Sequence, residues 1–573
     1  MKDRWPSVAI VGVFLVVCAI VIGVANAKPD NPAPGAMASA SVGAGAPTGP
    51  AVEILISSSD GKKEWLEDVT KAFHASKAEA TGKPIRVTLL HMKSGESMQK
   101  ILDGKEKPTV WSPAGQSWID LLNTTWKSRT GHDFAEGVKP TVMSGLVVAM
   151  WEPMARSLGW PDKPIGWDDI FKVAMDPGGW GSHGHPEWGP FRFGHGHPDF
   201  STSAMLSVVS SIYAAAGKTS GLTAEDLKDP RVIERVGALE RSIVHYGESS
   251  SWLTEKLCTK GPAYLSAVTL YESSVVQAND RYKKEMPFRL VAIYPKEGTF
   301  WENHPTGIVN ADWVTPEQRE AATAFLAFAT SRDQQQKALQ YGYRPTDRTI
   351  PLGAPIDTAH GADPKQSADR GLAYVSEDVF RRSNELWHKV KKHSTVFLLL
   401  DVSGSMAGEK MTSAKKGAAG FIRAMEKDDK VAVIAFSGTP RLVRPLASVR
   451  ESGESTAVEV EALFADGGTA MYDATVMAFD AIDRAKKEDG SRLYGVVLLS
   501  DGKDTSSKRS LSDLLDRMPD TESAEGTRVF SVAYGDDADG DLLKQISNRS
   551  NARSLKGGAD NIDKIYHQIS AYF

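Results

Sequence analysis

The chain has 573 residues, a formal net charge of −5, and 41% hydrophobic and 24% charged side chains. That length accommodates several domains with full cores. The slight acidity, with no basic stripe interleaved with aromatics, excludes a nucleic-acid binder. Of the two cysteines, Cys18 lies in an amino-terminal apolar segment and leaves Cys258 alone, so no intramolecular disulfide is expected in the exported part and stability must come from packing.

A short basic lead, residues 1–5, precedes an uncharged run from Val8 to Ala27. The run is about the ~20 residues that one membrane-crossing helix needs, and Lys2 and Arg4 favour a cytoplasmic amino end. Residues 1–27 are therefore expected to be a retained anchor, giving a single-pass cell-membrane protein with its bulk extracytoplasmic. The competing reading is a cleaved signal peptide and a secreted product, for which Ala25-Asn26-Ala27 offers a cleavage site. Residues 28–50, rich in Pro, Ala, Gly and Ser, read as a disordered tether.

From residue 52 the pattern becomes strand, polar turn, helix. Residues 52–56 and 84–92 read as strands, 62–80 as an amphipathic helix, and 108–112 as the lead into another helix. That βαβ rhythm predicts a parallel sheet. The stretches SSSDG (57–61), KSGES (93–97), PTVWSP (108–113) and FLAFATSRDQQQKALQYGYRP (325–345) resemble an extracellular solute-binding protein of bacterial ABC importers, of the molybdate/sulfate-like group. The resemblance covers residues 51–350 and implies a two-lobed periplasmic-binding-protein-like (type II) domain with its ligand in a cleft. Residues 145–150 and 288–294 are then the expected crossing strands.

Ser57, Ser58, Ser94 and Ser97 are placed at helix amino termini, where free N–H groups and the helix dipole favour an anion. Ser201, Thr202 and Ser203 open a helix in the second lobe in the same way, and Tyr271 is placed to reach the cleft. These eight residues are candidate contacts for a small molecule or oxyanion, although a serine there is also an ordinary helix cap. His183, His185, His195 and His197 form two His-x-His pairs that invite a zinc reading. The absence of nearby cysteine and the sparse carboxylates favour packing of that aromatic-rich loop instead.

Residues 351–393 form a connector, of which 378–392 read as an amphipathic helix. In the last part, residues 394–573, the apolar run 396–400 reads as a strand buried on both faces. It ends at Asp401, Ser403 and Ser405, three oxygen-bearing side chains at alternate positions. Gly467-Gly468-Thr469 offers another hydroxyl, and the run 496–500 repeats the motif of apolar strand followed by aspartate, Asp501. DVSGSM, GGT and LLSDG in this order resemble a von Willebrand factor type A domain with a metal-ion-dependent adhesion site. The resemblance implies a doubly wound, Rossmann-like α/β fold in which Asp401, Ser403, Ser405, Thr469 and Asp501 hold Mg²⁺ (or Mn²⁺ or Ca²⁺), a hard cation suited to oxygen ligands. It also implies an open coordination position that an acidic side chain of a partner protein fills.

Enzymatic signatures fail. The stretch AAAGKTS (214–220) has Ile212 where a phosphate loop needs its first glycine. Ser413 and Lys416 have the Ser-x-x-Lys spacing without its companion Lys-Thr-Gly, and there is no Gly-x-Ser-x-Gly. A non-enzymatic extracytoplasmic binding or adhesion protein is expected, with a metal-held acidic partner and a cleft ligand that modulates the grip. The alternative is the solute receptor of an ABC importer, with the type A domain as a docking accessory.

Overall fold

The computed structural model describes residues 40–199, 201–244, 246–247, 250–518, 526–570 and 572–573. The expected anchor and the first part of the tether lie outside them. Among the described residues no helix is long and apolar enough to cross a membrane.

The first lobe is built on β1 (Ser41–Val42), β2 (Val52–Ser59), β3 (Glu79–Ala80), β4 (Lys83–Met92), β5 (Val110–Ser112) and β6 (Ala135–Pro140). Strand β7 (Val142–Trp151) carries the chain into the second lobe, which adds β8 (Phe193–Gly194), β9 (Ala267–Tyr271), β10 (Leu290–Ile293) and β11 (Trp301–Glu302). Strand β12 (Pro305–Val309) returns to the first lobe, and β13 (Arg344–Pro345) pairs with β7. The sheet orders are β1-β4-β2-β5-β12-β6, with β3 on β4, and β10-β7-β9-β8, with β11 and β13 on β7. Parallel pairing of β2 with β4 and β5 buries Ile54, Ile56, Val87, Leu89 and Val110, as expected for strands covered on both faces.

Three features differ from the sequence reading. Helix α1 (Lys63–Ala75) stops five residues before the expected end, because Lys77 and Thr81 adopt positive φ and turn the chain into the β3–β4 pair. Residues 288–294 do not cross between lobes: β10 stays in the second lobe, antiparallel to β7, and the return runs through β11 and β12. Residues 41–49, within the expected tether, fold onto the first lobe. There β1 pairs with β4, Gly43 N donates to Val87 O at 3.0 Å, and the Arg86 guanidinium donates to Pro47 O and Gly49 O.

The helices that frame the cleft are α2 (Ser94–Leu102), α3 (Gln116–Thr130), α4 (Thr202–Ala216), α5 (Ser250–Lys260) and α6 (Glu272–Arg281). The connector ends in α7 (Glu377–Val390), capped by Ser376. Val379, Leu386 and Trp387 of α7 belong to the second lobe's hydrophobic core.

The carboxyl-terminal part is one sheet of β14 (Ser394–Asp401), β15 (Lys430–Phe436), β16 (Pro440–Ser448), β17 (Leu493–Ser500), β18 (Arg528–Tyr534) and β19 (Ser554–Gly557), in the order β16-β15-β14-β17-β18-β19. Only β16 runs antiparallel. Separate apolar cores fill its two faces, against α8 (Glu409–Ala424) and α10 (Ile562–Ser570) on one side and α9 (Met471–Glu488) on the other. The protein is thus a two-lobed periplasmic-binding-protein-like domain followed by a doubly wound type A domain.

Candidate functional site

All eight residues of β14 are buried, with β15 and β17 parallel on either side, so its carboxyl end lies at the middle of the sheet. Ligand sites of open α/β sheets form at such ends. Asp401 terminates β14 and Asp501 immediately follows β17. A chain of hydrogen bonds joins them: Ser403 N donates to Asp401 Oδ1 (2.9 Å), Ser403 Oγ and Ser405 Oγ share a bond of 2.9 Å, and Ser405 Oγ donates to Asp501 Oδ1 (2.8 Å). Thr469 is carried alongside, because Gly404 N donates to Gly467 O (2.9 Å), and Thr505 N and Ser506 N both donate to Thr469 O. The five side chains named from the sequence therefore sit on three adjoining loops. Asp401, Ser403, Thr469 and Asp501 are buried, while Ser405 faces solvent.

Burial pushes the Asp401 carboxyl above its ordinary pKa, and the charge of Asp501 adds to the rise. Among the described residues no cationic side chain pairs with Asp401. Two crowded carboxylates with three hydroxyls form a hard-oxygen donor set, and those residues fit a small divalent cation. No group of three or more His, Cys, Asp or Glu side chains among the described residues offers another metal site.

Two contacts here escaped the sequence reading. Ser500 Oγ donates to Asp401 Oδ2 (2.5 Å), and Lys410 Nζ donates to Asp501 Oδ2 (2.6 Å). Ser500 had a signal, since it stands directly before the aspartate at a strand end. Lys410 had none, because a lysine in the first turn of a helix reads as solvated surface.

The cleft holds a cavity of about 100 Å³. The amino-terminal turns of α2, α4, α5 and α6 converge on it, which concentrates helix-dipole charge there. Of the expected contacts, Ser94, Ser201, Thr202, Ser203 and Tyr271 line it. Ser94 Oγ accepts from Ala114 N at 3.0 Å, Ser201 caps α4, and Thr202 Oγ1 accepts a hydrogen bond from Trp118 Nε1 across the cleft. Burial, with the nearby charge of Glu302, holds the Tyr271 phenol protonated well above its ordinary pKa.

Ser57, Ser58 and Ser97 are elsewhere. Ser57 and Ser58 belong to strand β2 rather than a helix start, and Ser97 lies within α2. Ser57 Oγ bonds Ser97 Oγ (2.8 Å), which also accepts from Trp111 Nε1 (3.0 Å) and donates to Glu106 Oε1 (3.1 Å). These side chains satisfy one another inside the lobe, and Ser58 Oγ donates to its neighbour, Ser59 O. The cavity instead takes Ser59, Trp118, Ser250, Ser251, Ser273, Ser274, His304 and Tyr343, which the sequence did not single out.

His304 is 2% exposed, neither ring nitrogen has a partner among the described residues, and its φ is +41°. Burial, helped by the Lys62 charge, lowers its pKa well below the ordinary value, so the imidazole is neutral. A strained backbone and an unspent donor and acceptor at a cavity wall make His304 a candidate binding residue.

The four loop histidines separate into different surroundings. His195 Nε2 lies 3.0 Å from Glu240 Oε1 in the buried core, and His197 packs against Trp387 and Tyr246. His185 stacks on Trp188 at 3.7 Å, and His183 meets the edge of Trp180.

The bacterial extracellular solute-binding protein family matches residues 54–344, and the von Willebrand factor type A domain matches residues 395–564. An uncharacterized protein of Synechocystis sp., sll0103, is 31% identical over 176 residues, covering 31% of this chain and 40% of that protein. Human inter-alpha-trypsin inhibitor heavy chain H6 is 29% identical over 190 residues, covering 30% of this chain and 14% of that one. The chain thus spans less than half the length of either relative. Among solved structures, the substrate-binding protein of an ABC transporter from Agrobacterium tumefaciens aligns at TM-score 0.43 and 16% identity, covering 62% of this chain and 99% of that one. A von Willebrand factor type A protein from Catenulispora acidiphila aligns at TM-score 0.28 and 24% identity, covering 32% and 42%. The family match extends over half of the sequence: this chain belongs to the bacterial extracellular solute-binding proteins, and it carries a von Willebrand factor type A domain behind the solute-binding one.

Proposed function

We propose that the protein is a non-enzymatic, extracytoplasmic binding protein whose type A domain grips an acidic side chain of a partner protein through a divalent cation, Mg²⁺ first. Asp401, Ser403, Ser405, Thr469 and Asp501 would hold the ion, which supplies attraction for one further carboxylate. The observation that carries this reading is the hydrogen-bonded chain from Asp401 through Ser403 and Ser405 to Asp501. It holds two carboxylates and two hydroxyls at the carboxyl ends of the two central strands, with Ser405 open to solvent. Retention on the cell membrane through residues 1–27 belongs to the same proposal, as does modulation of the grip by a cleft ligand.

A second reading, the solute receptor of an importer with the type A domain as docking accessory, is favoured by one observation. The cavity is small, lined with hydroxyls and helix amino termini, and walled by the neutral His304. That combination suits a small anion, held by N–H and O–H donors beside Lys93, which also lines the cavity with Asp60.

The test is capture from envelope extract by the full chain in Mg²⁺ and in EDTA, beside an Asp501→Ala variant verified as folded by circular dichroism. A partner retained only by the wild type with Mg²⁺ supports the grip. Capture indifferent to both EDTA and the substitution rejects it. An empty wild-type lane moves the weight to the receptor.

A further inference from the structure

We propose that the type A domain is a latch on the cleft: seated on the second lobe, it reaches across to the first through α10, so that the cleft opens only when this contact is released. The seat on the second lobe is aromatic and buried. The Tyr572 ring meets Trp252 edge-on at 5.3 Å, and Arg528 Nη2 donates to Tyr264 OH (3.1 Å) with its guanidinium over that ring. Tyr572, Arg528 and Tyr264 are each less than a tenth exposed. The reach to the first lobe is ionic: Lys564 Nζ of α10 donates to Glu96 Oε1 of α2 at 2.8 Å.

Both ends of this bridge adjoin cavity walls. Glu96 is two residues from Ser94, and Trp252 directly follows Ser250 and Ser251. Between them, His567 of α10 is within electrostatic range of Lys93 in the first lobe and Asp199 in the second. The cleft walls are themselves tied beside this bridge, where Trp118 Nε1 at the start of α3 donates to Thr202 Oγ1 at the start of α4.

Two lobes joined by crossing strands constitute a hinge with discrete open and closed arrangements. An exposed ion pair is weak by itself, but one that closes a bridge between hinged bodies changes the population of the open state directly. Type A seating and cleft closure are then linked reciprocally: whatever holds one favours the other. This inference goes beyond the metal-dependent grip and does not depend on it.

The test is the distance between the lobes, measured by double electron–electron resonance on the full chain with spin labels at Lys127→Cys and Lys228→Cys and with Cys18→Ser. Native Cys258 is buried. Lys564→Glu sets two carboxylates against each other, Tyr572→Ala loosens the seat, and Glu96→Lys with Lys564→Glu restores opposite charges. The expected result is one narrow short distance in the parent. A longer population should rise several-fold in Lys564→Glu and in Tyr572→Ala, and fall back in the charge swap. Distributions unchanged in both single variants overturn the latch, as does a swap that fails to restore the parent distribution. Metal and partner are absent throughout, so failure of the grip and failure of the latch are read separately.

Discussion

Lys410 Nζ rests 2.6 Å from Asp501 Oδ2, on the oxygen opposite the one that takes the Ser405 hydroxyl. A side-chain cation thus already neutralises one of the two carboxylates at the strand ends, and it opposes a divalent ion for that charge. Lys410→Met should tighten Mg²⁺ or Mn²⁺ binding roughly three- to tenfold, about 1 kcal/mol, by titration calorimetry. The metal-free variant should unfold at a lower temperature, because Asp501 loses its partner. Weaker metal binding would show instead that Lys410 holds Asp501 in the ion-ready position.

The junction of the two domains should depend on pH through His388. Burial alone lowers its pKa, but hydrogen bonds and charge from Asp199 and Glu426 outweigh burial and bring it up to about 9. A folded pKa above the ordinary 6.5 contributes stability that is fully present below about pH 6.5 and lost as pH rises through about 9. The contribution is on the order of 3 kcal/mol at most. The difference in unfolding free energy between wild type and His388→Gln should shrink steadily across that window. A constant difference would refute the charged bridge.

The metal-type site was legible in the sequence because its parts are local. An apolar run ending in aspartate fixes a strand end, and alternate serines fix which side chains turn the same way. The cleft was legible only in part. Ser57 and Ser97 look identical to Ser94 and Ser201 in sequence, yet the first pair is spent inside the lobe on Trp111 and Glu106. What separates them is the register of β2 against β4 and β5, a non-local property. His304 was invisible for the same reason. It lies between β11 and β12, where the chain crosses back, and the sequence reading put that crossing at residues 288–294.

His304 offers a test of the cavity that needs no knowledge of the natural ligand. With sulfate as probe, His304→Asn should weaken binding at least tenfold, the loss of a buried hydrogen bond to a charged group being roughly 1.5–3 kcal/mol. Asparagine is chosen because it tolerates the positive φ better than most residues. Wild-type sulfate affinity should show no inflection around pH 6.5, the ordinary imidazole value, since burial holds the His304 pKa well below it. A histidine-like titration of affinity there would mean that the ring binds charged.

The connector is a further place where the sequence boundary and the folded unit diverge, and the consequence is measurable. Glu240 is 1% exposed, and its carboxylate takes hydrogen bonds from Tyr246 OH (2.9 Å) and Trp387 Nε1 (3.0 Å), with His195 Nε2 3.0 Å from its other oxygen. Trp387 comes from α7, beyond residue 350. A chain ended at residue 350 would leave this buried carboxylate short of a donor and uncover the core face that Val379, Leu386 and Trp387 close. Within the full chain, Trp387→Phe keeps most of the packing and removes only the donor. It should cost roughly 1–3 kcal/mol, the penalty of an unsatisfied buried acceptor, in denaturant unfolding. A chain of residues 40–350 should bind a hydrophobic dye and melt without cooperativity, whereas residues 40–392 should melt more cooperatively. Equal, sharp melting of the two fragments would show that α7 merely rests on the lobe and that the second lobe is complete without it.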